Sequence, residues 1–152
     1  MEIEHLKDGD IDLALIIRRD YRSEGIEFFT PETYSQQIGY MNRPVGYIIP
    51  PHVHNPVVRE VQYTNEVLIV RSGRVQVDFY SEQRVYLFCR ELAQGDVILL
   101  IRGGHGFKML EATEMLEVKQ GPYAGDKDKT RFIPNENPSF GKQKDLENDK
   151  ET

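Results

Sequence analysis

From Arg74 to Tyr80 the chain alternates strictly, with Val75, Val77 and Phe79 two apart and Gln76, Asp78 and Tyr80 between them. That pattern suits an extended strand, whose successive side chains point to opposite faces, one packed and one wet. Short runs rich in Val, Ile, Tyr and Phe recur at 11–18, 26–30, 36–41, 45–49, 61–70, 85–92, 97–101, 106–110 and 114–118. Gly, Pro, Asn and Asp part them, with turn chemistry at Ser72-Gly73, Gln94-Gly95-Asp96 and Gly103-Gly104. Helical periodicity is hard to find, so the expected fold is all-β. So many short strands predict a sandwich or a barrel, the architectures that bury an alternating face without long bare edges.

The chain has 152 residues, which suits one domain, and its 39% hydrophobic and 29% charged content fits a folded core with a polar surface. After Tyr123 the composition turns to dense mixed charge, so a folded domain is expected over 1–123 and a charged tail over 124–152. The end of that tail, with only Phe140 and Leu146 as large apolar side chains, is expected to be disordered, while Phe132 and Ile133 can pack back on the domain. No apolar run reaches the ~18 residues of a membrane span, and Met1-Glu-Ile-Glu-His lacks a basic region followed by an apolar one. A cytoplasmic protein without a membrane partner is therefore expected. The lone Cys89 has no partner for an internal disulfide and reads as a small buried hydrophobe sharing strand parity with Val85 and Leu87. A formal charge of -6 without a basic stripe excludes nucleic acid as the expected partner.

Chemistry concentrates in a few polar residues. His52 and His54 follow Pro50-Pro51, and in an extended backbone residues two apart share a face, so both imidazoles point one way. Glu66 opens Glu-Val-Leu-Ile-Val, where parity puts its carboxylate on the inward side with Leu68 and Val70. His105 sits in Gly-Gly-His-Gly-Phe, whose glycines let backbone approach closely and leave room around the ring. Three imidazoles and a carboxylate form a ligand set suited to a borderline divalent metal, with positions left for water or substrate. Arg59 and Glu60 lie between the two halves of this set as substrate contacts, and Glu60 competes with Glu66 as the carboxylate ligand. Tyr123, Lys129 and Arg131 are expected anion contacts.

Gly46, His52, His54, Glu66 and Gly73 resemble the first motif of the cupin family, and Gly95 to His105 resembles its second. Eleven residues between His54 and Glu66 exceed the family's usual gap and imply an inserted loop. In the second motif Ile101 stands where the family has proline, and one residue separates Gly103 from His105. The resemblance covers roughly 40–120. It implies a jelly-roll barrel, a double-stranded β-helix that commonly forms a homodimer, holding one divalent ion (iron, manganese, zinc or nickel) at His52, His54, Glu66 and His105. By the same resemblance the expected function is metal-dependent work on a small polar metabolite, foremost isomerisation of a sugar, sugar phosphate or nucleotide sugar. A mononuclear-iron dioxygenase and a non-catalytic module binding metal and a small ligand are the alternatives.

Overall fold

A computed structural model of the chain describes residues 2–134, and ten strands account for most of its regular structure. They are β1 (Ile3–Asp8), β2 (Ile11–Ile17), β3 (Gly25–Phe28), β4 (Gly39–Asn42), β5 (Glu66–Ser72), β6 (Arg74–Tyr80), β7 (Tyr86–Ala93), β8 (Val97–Leu100), β9 (Gly104–Met109) and β10 (Glu114–Lys119). One short 3-10 turn, Gly125–Lys127, follows. The all-β expectation holds. The expected disorder at the end of the tail concerns residues outside those described.

Every strand pairing is antiparallel. A five-stranded sheet runs β1-β2-β8-β5-β10, a three-stranded sheet runs β7-β6-β9, and β3 and β4 form a separate hairpin. Glycines make the tight links: Gly9, Gly73, Gly95 and Gly103 all have positive φ. At Gly73 an added Cβ would sit 2.2 Å from the Ala112 carbonyl oxygen, so both backbone sign and space demand glycine between β5 and β6.

The two larger sheets face one another over a shared core. Ile16, Leu68, Val70, Ile98 and Leu100 come from the larger sheet, and Val75, Val77, Phe79 and Leu92 from the smaller. The alternation at Arg74–Tyr80 therefore gives a strand whose core face is Val75, Val77 and Phe79, as expected. Its other face is not wet: Asp78 is 0% exposed and Tyr80 2%. Because β6 is central in its sheet, Asp78 and Tyr80 are flanked by β7 and β9, and Phe132 stacks edge-on upon Tyr80 at 5.1 Å between centroids. Cys89 is half-buried rather than buried, since it lies opposite Asp78 on β7, the outer strand of the sheet, and not on the central β6. An ion network joins the sheets at one rim, with Glu4 accepting from Arg18 at 2.6 Å and from Arg90 at 2.9 Å. Arg18 also reaches Asp96 at 3.0 Å.

A closed barrel is not formed. The larger sheet ends on β1 and β10 and the smaller on β7 and β9, and among the described residues none of these edges carries a further strand. Two of the expected runs, 45–49 and the first part of 61–70, stand outside the sheets. They belong to a segment with prolines at 44, 50, 51 and 56, each of which removes a backbone donor. β1 is a strand the sequence reading did not include, drawn into the sheet by its antiparallel pairing to β2.

Candidate functional site

β5 and β9 bring one carboxylate and one imidazole together. Glu66 begins β5 on the same side as the buried Leu68 and Val70, as parity requires. His105 lies opposite Phe79 in the β9–β6 ladder, which turns its ring into the space between the sheets. His105 Nε2 and Glu66 Oε2 are 3.1 Å apart. A carboxylate accepts only, so the imidazole donates. That hydrogen bond, with Lys129 and Lys119 nearby, holds the Glu66 carboxyl below its usual range against burial, which pushes it up.

The pair opens on a cleft of about 810 Å³. Glu117, Tyr63 and Tyr80 stand in its walls, and four cations, Arg84, Arg102, Lys129 and Arg131, share them. Arg102 is held by Glu82 at 2.5 Å and lies over the Tyr63 ring, while Arg84 lies over Phe132. The chain after β10 forms one wall: Thr64 donates to Asp128 at 2.6 Å, and Phe132 seats against Gly104, where an added Cβ would come within 3.0 Å of its ring. The expectation that Phe132 packs back is thus met, whereas Ile133 is exposed.

Lys129 and Arg131 line the cleft as anion contacts would, and Tyr123 does not: it is exposed, with the Lys119 ammonium 6.0 Å from its ring centre. Arg59 and Glu60 are exposed, with Glu60 accepting only from Gln62 among the described contacts, at 3.4 Å. His52 and His54 lie in the same exposed segment, their rings 5.1 Å apart, as the His-X-His spacing predicts. The four residues expected to share one ion therefore stand as two pairs, Glu66 with His105 in the cleft and His52 with His54 outside it. Among the described residues, no group of three or more His, Cys, Asp or Glu is close enough to hold a metal.

The sequence reading missed Arg84, Arg102, Tyr63 and Glu117. Arg102 directly precedes Gly-Gly-His, and strand parity with Met115 could have put Glu117 inward; Arg84 carried no such mark, although its φ of 68° is rare for a side-chain-bearing residue. No family model, no curated protein and no solved structure matches this chain. Among the described residues no helix is long and apolar enough to cross a membrane.

Proposed function

We propose that the cleft over Glu66 and His105 binds a divalent metal ion and a small anionic metabolite, in the manner of the cupins that the sequence motifs resemble. The observation that carries this reading is the Glu66–His105 pair, half-buried between two sheets and opening on a cleft with four cationic side chains. A carboxylate oxygen and an imidazole nitrogen are donors that iron, manganese, zinc and nickel all accept. His52 and His54 would complete the set.

An ion held there supplies a Lewis acid toward a carbonyl or hydroxyl oxygen of the substrate. The chain's own residues do the rest. Arg84, Arg102, Lys129 and Arg131 would fix a phosphate or carboxylate group, Arg by bidentate contact and Lys as a point charge. Glu117 and Tyr63, on the same walls, would take up and return a proton. The buried Leu68 and the half-buried Ile101 and Phe107 give the cleft its apolar lining. This combination suits proton transfer between adjacent carbons of a sugar phosphate or nucleotide sugar, which makes an isomerase the favoured activity.

Elemental analysis of protein purified without added metal or chelator tests the reading, comparing the native chain with Glu66→Gln and His105→Ala. Near-stoichiometric metal lost in both variants supports it. No uptake after loading with iron, manganese, nickel and zinc in turn overturns it. Iron with oxygen consumption would replace the isomerase by a dioxygenase, because proton transfer consumes no oxidant.

A further inference from the structure

From Arg43 to Gln62 the chain is exposed at every residue. Among the described residues its hydrogen bonds stay within it: Tyr47 N donates to the Pro44 carbonyl, His52 Nδ1 meets the Pro50 carbonyl, and Gln62 donates to Glu60. Such a stretch would normally be polar, yet this arm carries Val45, Ile48, Val53, Val57, Val58 and Val61, with Val53 at 85% and Val58 at 101% exposure. Exposed apolar side chains in such density mark a binding surface. The arm's base is fixed, with Asn42 bonded to Ser23 on one side and Asn65 to Ile101 and Gln120 on the other. About 20 extended residues leaving and returning to that base reach roughly 30 Å outward.

Of the four outer strands of the two larger sheets, β9 and β10 carry cleft residues, His105 and Glu117. β9 and β10 each end a sheet, presenting a row of backbone donors and acceptors that no further described strand pairs with. Met109 on β9 and Leu116 and Val118 on β10 are exposed there. β9 also carries His105, so a strand laid along it would bring its own side chains beside that ring. Prolines suit a strand with one edge free, which a donated strand is.

We infer that two copies of this chain exchange their 43–62 arms, each arm adding strands to the open β9 and β10 edges of the other copy and delivering His52 and His54 to the partner's Glu66 and His105. This rests on the metal reading of the cleft and adds that each site is shared between chains. The exchange is reciprocal about a twofold axis, so two arms fill four edges and complete two sites, leaving no arm unpaired. Main-chain pairing supplies much of the contact, as in other cases of strand addition, and the valines supply the apolar part.

Two measurements test it on the full chain. Solution mass by light scattering at micromolar concentration should give a dimer, and Val53→Asp with Val57→Asp should give a folded monomer with unchanged circular dichroism. A native monomer, or a dimer indifferent to those substitutions, overturns the exchange. The second measurement co-expresses a His52→Ala/His54→Ala chain with a Glu66→Gln/His105→Ala chain, each separately tagged, and isolates the mixed dimer. Each homodimer should be metal-free, while the mixed dimer should hold about half the native metal, because one of its two sites draws intact residues from both chains. A metal-free mixed dimer beside a metal-loaded native protein means that each arm serves its own chain, which overturns the shared site. If the native protein takes up no metal at all, the metal reading falls, and the exchange is decided by mass alone.

Discussion

Gly73 and Gly46 show how differently two glycines of similar backbone can weigh. Both have positive φ, 80° and 81°, but an added Cβ at Gly73 would strike the Ala112 carbonyl while one at Gly46 would meet nothing within 4 Å. Gly73→Ala should therefore lower unfolding stability by about 2–4 kcal/mol, from backbone strain plus displacement of the 112–113 turn. Gly46→Ala should cost only the backbone strain of a positive φ, about 1–2 kcal/mol. Urea midpoints of the two variants check this, and equal losses would contradict the close approach at Gly73. Residue by residue, the inward Glu66, the turn glycines and the paired histidines were legible, because parity and φ sign are local properties. That Glu66 and His105 meet was legible through the family resemblance, which put both in one ligand set, and not through parity, since nothing within one strand reports that β5 and β9 meet across the core.

At the level of elements, the strands that alternate were read well and the segments governed by their neighbours were not. β6 was legible on its core face, but burial of Asp78 and Tyr80 follows from its place between β7 and β9 and from Phe132, forty or more residues away in sequence. The runs at 45–49 and 61–65 have strand composition without a strand partner among the described residues. The segment 128–134 is likewise held from afar, by the Phe132 ring against Tyr80 and Gly104 and by the Thr64–Asp128 hydrogen bond. Phe132→Ala should free this segment while leaving the sheets intact, because it lies outside both. Trypsin should then cleave after Lys127, Lys129 or Arg131 roughly tenfold faster, with the urea midpoint nearly unchanged. An unaltered cleavage rate would show that Thr64–Asp128 alone holds the wall. Loss of Lys129 and Arg131 from the cleft should accompany the release, read as weaker binding of inorganic phosphate.

For the whole molecule, the two sheets are joined by apolar burial in the middle and by charge at one rim, and the rim makes stability depend on pH. Burial would push the Glu4 carboxyl up, but hydrogen bonds and charge from Arg18 and Arg90 hold it below its ordinary value of 4.5. Asp12, which accepts from Tyr34 and pairs with Lys7 at 3.0 Å, is held down likewise from 3.8. The Tyr34 hydroxyl is pushed up to about 12 by burial and that same carboxylate. A carboxyl whose folded pKa is depressed binds fewer protons folded than unfolded, so its contribution is complete above the unfolded value and is lost as pH falls through the folded one. As far as these carboxyls decide it, stability should be level from about pH 5 up to the ordinary tyrosine range near 10 and decline as pH drops below the ordinary values of 4.5 and 3.8. Glu4→Ala should cost about 2 kcal/mol at neutral pH, where Arg18 and Arg90 lose a shared acceptor. In that variant the acid decline should also become shallower, because one depressed carboxyl no longer takes up a proton on unfolding. Urea titrations of native and Glu4→Ala protein from neutral pH to pH 3 measure both effects. A variant that loses stability equally at all pH values would locate the coupling of the two sheets in packing alone, with the rim charges contributing no pH dependence.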